Sequence, residues 1–89
     1  MTVRKRVRAH GRVQGVFFRD SLRRAAEREG VAGWAANRDD GTVEAVLEGD
    51  AEALERLVAL CRRGPGRADV ERLDVADEEP QGLHGFDVG

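Results

Sequence analysis

The chain has 89 residues, 40% hydrophobic and 36% charged, with a net charge of −2 and a single cysteine. That length fits one domain, spanning 1–89, which can bury about two thirds of its unfolded surface. The composition excludes a disordered chain. No apolar stretch reaches the roughly 18 residues of a membrane-spanning helix, and no apolar run follows the basic start to make a signal peptide. One cysteine, Cys61, excludes an internal disulfide framework and a CxxC-type zinc site, and it suits a reducing compartment, so a cytoplasmic location is expected.

The small net charge hides an asymmetry. Residues 1–24 carry eight basic side chains against Asp20 alone, whereas residues 68–89 carry seven acidic ones against Arg72 alone. Two oppositely charged segments either neutralise each other in the fold or leave the N-terminal one free to attract an anion.

In chain order, Val3 to His10 alternates with Val3, Val7 and Ala9 on one side and Arg4, Arg6 and Arg8 on the other, a period-two strand with Lys5 out of phase. A loop follows with glycines at 11 and 15. From Arg19 to Glu29, Leu22, Ala25 and Ala26 recur at helical spacing, and Gly30 is the stop. Val31 to Asn37 reads as a strand, Arg38 to Gly41 as a turn with an Asp-Gly signal, and Thr42 to Glu48 as an alternating strand. Asp50 is placed to cap a second helix, whose apolar residues Leu54, Leu57, Val58 and Cys61 follow at i, i+3, i+4 and i+7. Gly64 and Pro65 end it. Val70, Leu73 and Val75 mark a strand whose phase slip implies a bulge, and Leu83 to Val88 reads as a last short strand.

This β-α-β-β-α-β order, plus a C-terminal strand, predicts an α+β ferredoxin-like sandwich, an antiparallel sheet with two helices on one face. A helix of about 11 residues is roughly 16 Å long, near the roughly 20 Å of a six-residue strand, so it returns the chain to its starting edge. Strand two then runs in the direction of strand one. The loop at 11–18, the start of the first helix and the end of strand two meet at one end of the sheet, which makes Arg19 and Asn37 spatial neighbours.

The candidate site lies there. Glycines at 11 and 15 let several backbone N–H groups turn inward as an anion nest, reinforced by the partial positive charge of the helix start. Arg19 at that start offers a two-pronged contact to phosphate oxygens. The plain alternative is a strand-to-helix connection with Arg19 as one of 14 arginines. Asn37 reads either as a turn former or as a carboxamide able to hold a water beside a phosphate. Of Phe17 and Phe18, one is expected to pack inward while the other shields the loop. His10 and His84 lack partners at metal-ligand spacing, so no metal is expected. Cys61, in phase with Leu54, Leu57 and Val58, reads as core.

Gly11-Arg12-Val13-Gln14-Gly15-Val16-Phe17-Phe18-Arg19 resembles the acylphosphatase motif G-x-V-Q-G-V-x-F-R at every fixed position. Gly33 to Val43, with Gly49 beyond it, resembles the second signature of that family, and the segments 64–70 and 85–88 resemble its later parts. Gly66 departs from the pattern where the family often has proline, and Gly89 stands where a terminal arginine is common.

The resemblance implies a small free-standing acylphosphatase: a ferredoxin-like fold that hydrolyses acyl phosphates to a carboxylate and inorganic phosphate without a cofactor. It implies that Arg19 binds phosphate and Asn37 orients water. The backbone of Gln14, Gly15, Val16, Phe17 and Phe18 would form the phosphate-binding loop. Its implied partners are a small-molecule acyl phosphate, with inorganic phosphate as product and competitive inhibitor. The expectation is a monomer, without nucleic acid or membrane.

The rivals are non-catalytic. An RNA-binding module of the same strand order would need aromatics on its central strand, where this chain has Thr-Val-Glu-Ala-Val-Leu-Glu. A phosphate- or carbamoyl-phosphate-binding module of a larger maturation protein is the other alternative, and the 89-residue length favours a free-standing enzyme instead.

Overall fold

In the computed structural model, which describes residues 1–89, the elements are β1 (Thr2–Arg12), α1 (Phe18–Glu29), β2 (Ala32–Asn37), β3 (Val43–Asp50), α2 (Ala51–Arg63), β4 (Asp69–Glu78) and β5 (Phe86–Val88). The sheet order is β4-β1-β3-β2-β5. β1 and β2 both pair antiparallel with β3, so they run in one direction, as the helix length requires. β5 corrects the expectation of an all-antiparallel sheet, because it lies parallel to β2, starting with Phe86 beside Gly33. β4 ends at the opposite edge, and the 79–85 connection delivers the chain beside the start of β2, from where it can only run with β2. β5 is also shorter than expected, since the amides of Gln81, Gly82 and Leu83 bond to Glu48 rather than to a strand.

Both helices pack on one face of the sheet. α1 buries Phe18, Leu22, Ala25 and Ala26, and Gly30 closes it in the left-handed conformation, donating to the Ala26 and Glu27 carbonyls. α2 buries Ala53, Leu54, Leu57 and Cys61. Between helices and sheet these side chains meet Val7, Ala9, Ala35, Val43, Ala45, Leu47 and Phe86. A fully buried leucine or phenylalanine in such a core contributes about 1.5–3 kcal/mol. Cys61 belongs to this core, and burial pushes its thiol pKa up to about 12. Asp50 precedes α2 as expected, but its side chain makes no capping hydrogen bond.

The phase slip in β4 is a bulge. His10 faces Arg72 and Gly11 faces Val70, leaving Glu71 extra. Gly11 makes the bulge possible: its φ is 123°, and a Cβ there would stand 2.4 Å from the Asp69 carbonyl oxygen.

The charge asymmetry resolves mainly into neutralisation, because basic β1 lies against acidic β4. Arg6 bridges Glu78 at 2.6 Å and Glu44 at 3.0 Å, Lys5 meets Asp77 at 2.6 Å, and His10 meets Asp74 at 2.8 Å. Lys5 points to the helix side, where its stem lines a depression with Val58 of α2, which explains a lysine in an apolar phase. On the opposite, helix-free face, Arg4 and Glu48 are both buried and paired at 2.8 Å. The Arg6 and Arg38 guanidinium groups stack over Trp34, 5.6 and 5.4 Å from the ring centroid.

Glu48 anchors the connection to β5. Its carboxylate accepts the Arg4 guanidinium and the backbone N–H groups of Gln81, Gly82 and Leu83. Burial would raise the Glu48 pKa, but these donors outweigh it and hold the value at about 2. A carboxyl depressed in the folded state stabilises fully above its unfolded pKa, and that stability is lost as pH falls from about 4.5 toward about 2. Glu48→Gln is therefore expected to lower the melting temperature at pH 7 and to flatten its acid dependence between those values, as read by thermal melts across pH.

Candidate active site

The β1–α1 connection is tethered by buried side chains at Val13, Val16 and Phe18, while Gly15 and Phe17 stay exposed. Of the two phenylalanines, Phe18 packs inward at 2% exposure and Phe17 stands out at 71%. Gly15 has φ 71° and Phe17 has φ 65°, the one positive φ at a non-glycine residue. Holding a phenylalanine there costs of order 1–3 kcal/mol. This winding leaves the backbone N–H groups of Gly15, Val16, Phe17, Phe18, Arg19 and Asp20 with no acceptor from the chain. The last three belong to the first turn of α1, where helix geometry supplies none.

A cleft of about 260 Å³ opens over this loop, lined by Val13, Gly15, Phe17, Phe18, Arg19, Asp20 and Asn37. Arg19 and Asn37, remote in sequence, thus share one cavity. The arginines of β1 that point to the helix-free face, Arg4, Arg6 and Arg8, are each bound to carboxylates, whereas Arg19 has no carboxylate partner. Its neighbour Asp20 is engaged by Arg23 at 2.7 Å and Arg24 at 3.1 Å. The Arg23 hydrogen bond holds the Asp20 pKa below the usual carboxylate range.

Asn37 is the last residue of β2, and the turn beyond it is built by others. Arg38 N–H donates to the Thr42 carbonyl at 2.8 Å, Gly41 N–H to Arg38 at 3.1 Å, and the Asp40 carboxylate accepts Thr42 N–H and Oγ1. The Asn37 carboxamide makes no hydrogen bond within the chain, so the turn does not use it. The Gln14 side chain has a role that no local pattern in the sequence signals. Its side-chain amide donates to the carbonyls of Arg38 at 2.8 Å and Thr42 at 2.9 Å, tying the β1–α1 loop to the hairpin that carries Asn37. A second tie runs from Arg67 N–H to the Val16 carbonyl at 3.2 Å. No spacing or periodicity signals either tie, because both join segments distant in sequence. No group of three His, Cys, Asp or Glu side chains is arranged to hold a metal ion, and no helix is long and apolar enough to cross a membrane.

Free amides, a helix N-terminus and an unpaired guanidinium facing one cavity can together hold a tetrahedral oxyanion. That chemistry, on a ferredoxin-like frame, describes a small phosphate-handling enzyme. The acylphosphatase family model matches residues 5–88, and the chain belongs to the acylphosphatase family. It is 56% identical over 86 residues to the acylphosphatase of Gloeobacter violaceus, covering 92% of each chain. It is likewise 56% identical over 88 residues to that of Thermococcus kodakarensis, covering 94% of this chain and 97% of the relative. The crystal structure of the Bacillus subtilis acylphosphatase superposes with a TM-score of 0.93 at 35% identity, covering 98% of both chains.

Removing the Gln14 tie tests this construction. Gln14→Ala is expected to cost about 1–2 kcal/mol of stability for two lost hydrogen bonds. It should also lower turnover more than phosphate affinity, since it frees the hairpin bearing Asn37; melting curves beside steady-state kinetics check both.

Proposed function

We propose that this acylphosphatase hydrolyses acyl phosphates with the amides of the 14–18 loop and Arg19 holding the phosphoryl group and Asn37 orienting the attacking water. The observation that carries the reading is the set of unaccepted amides from Gly15 to Asp20, all but Val16 belonging to residues that line one cleft with the unpaired Arg19 and the free Asn37 carboxamide. The water oxygen forms a bond to phosphorus as the bond from phosphorus to the acyl oxygen breaks. The electron pair leaves with the carboxylate, and the water's proton passes to a phosphate oxygen.

So sparse a site suffices because the leaving carboxylate has a conjugate-acid pKa near ~4 and needs no general acid. Neutralising the phosphoryl oxygens and placing the water in line are matters of electrostatics and positioning. The phosphate of the substrate is itself the base in this scheme, and an essential enzyme base in the pH–rate profile would contradict it. The proposed enzyme is a monomer acting in the cytoplasm on a small molecule. Inorganic phosphate should compete with substrate by filling the cradle.

The reading requires turnover of an aromatic acyl phosphate that survives EDTA, with alkyl phosphate monoesters nearly untouched; efficient monoester hydrolysis would overturn it. Arg19→Gln is expected to weaken both affinity and rate, and Arg19→Lys to rescue poorly, since an ammonium cannot reproduce the planar fork. Asn37→Ala should lower kcat by roughly a hundredfold while leaving phosphate inhibition near the wild-type value. Its melting temperature should also stay close to wild type, because the turn does not use the carboxamide. An unstable but fully active Asn37→Ala enzyme would instead assign Asn37 to the turn.

A further inference from the structure

The 64–68 connection between α2 and β4 touches the candidate phosphate loop and lines no part of the cleft. Arg67 N–H donates to the Val16 carbonyl at 3.2 Å. Gly66, with φ 65°, lies so close that a Cβ on it would stand 2.6 Å from the same carbonyl oxygen and 3.5 Å from the Phe17 carbonyl carbon. The chain has no cis peptide bonds. In a planar trans peptide the C=O and the following N–H point in opposite directions. A Val16 carbonyl held toward Arg67 therefore turns the Phe17 N–H to the other side of the loop, where it meets no acceptor of the chain. The same peptide leads into Phe17, whose left-handed conformation is the strained point of the loop and persists only when its surroundings over-determine it.

We infer that the Gly66–Arg67 turn is a positioning element for the phosphate cradle, fixing the Val16–Phe17 peptide so that the Phe17 amide faces the bound phosphoryl group. The inference rests on the phosphate-binding reading of the loop and adds residues that touch no substrate. Glycine here, where the family often has proline, goes with the backbone course of this chain: its φ is 65° rather than the about −65° that proline fixes, and the Val16 carbonyl occupies the space of a side chain. Linkage makes the effect reciprocal, so a phosphate held by the Phe17 amide strengthens the Arg67–Val16 bond from the other side.

The test compares two glycine substitutions. Gly66→Ala and Gly30→Ala both force alanine into a left-handed site, at φ 65° and 70°, but the Gly30 site is open space far from the loop. Inorganic phosphate binding is followed by amide NMR titration, with melting curves for each variant. Gly66→Ala is expected to bind phosphate at least tenfold more weakly, to raise KM for an acyl phosphate in step, and to lose the phosphate-induced shift of the Phe17 amide. Gly30→Ala should lose stability alone. Gly66→Asn, which tolerates the left-handed region yet carries a Cβ, should fail to restore affinity. Folded Gly66→Ala with wild-type phosphate affinity would overturn the inference.

Hydrogen exchange on the wild-type protein supplies a second readout that needs no variant to fold. Saturating phosphate should slow exchange of the Arg67 amide more than that of Gly33, whose N–H bonds to Gly85 away from the loop. Equal slowing of the two would also overturn the inference. A wild-type protein that binds no phosphate at all would sink the functional reading itself, which is a different result from a cradle indifferent to Gly66.

Discussion

Most of this structure follows from one constraint: α1 is long enough to carry the chain back along the sheet, so β2 must run in the same direction as β1. The C-terminal ends of both strands then lie at one end of the sheet, with the N-terminus of α1 between them. Backbone amides that no helix can satisfy are gathered there, beside a guanidinium left without a carboxylate. A carboxamide ending β2 arrives at the same cavity because β2 has nowhere else to end. The site is a by-product of crossover geometry, which helps explain how a small domain can host it without a metal cluster or a deep pocket.

The opposite end of the sheet solves a different problem. After β4 the chain sits at one edge, and β5 must be placed at the other. The connection is held down by one carboxylate, Glu48, which gathers three consecutive amides and the Arg4 guanidinium. A buried charge of this kind is tolerable only because every lone pair has a donor. The basic-on-acidic pairing of β1 with β4 extends the same logic along the helix-free face, where carboxylates occupy the cations. Arg6, Arg8 and Arg38 share Glu44, and Trp34 lies beneath two guanidinium groups. That face therefore offers no open aromatic platform of the sort an RNA-binding sheet presents, in agreement with membership of the acylphosphatase family.

The division of labour around the cleft is also electrostatic. The β1 cations nearest acidic strands are spent on structure, and Asp20, the carboxylate next to Arg19 in sequence, is drawn off by Arg23 and Arg24 one turn further along α1. Arg19 thereby keeps its charge available to a ligand. Around it the loop is fixed from two sides, by the Gln14 side chain on the hairpin and by the Arg67 amide on the Val16 carbonyl. Strain at Phe17 is sustained by those contacts and by the buried anchors Val13, Val16 and Phe18.

Local patterns in the sequence determine much of this arrangement. The helical spacing of Leu22, Ala25 and Ala26, the alternation of Val43, Ala45 and Leu47, and the phase slip around Glu71 are periodic signals that a backbone must obey, and the structure follows them. The glycines at 11 and 15 and the arginine at a helix start marked the end of the sheet where the cleft lies. What the sequence could not determine were the contacts between segments that share no period. The parallel placement of β5 depends on where the chain re-enters the sheet, which Glu48 decides by capturing amides 33 to 35 residues away. The choice for Asn37 between turn and cleft depends on whether Asp40 and Thr42 already complete the turn. The ties made by Gln14 and Arg67 depend on three carbonyls being brought within 3.2 Å by packing elsewhere. A hydrogen bond is a short-range, directional interaction, so its partner becomes known only when the tertiary fold has set the distance.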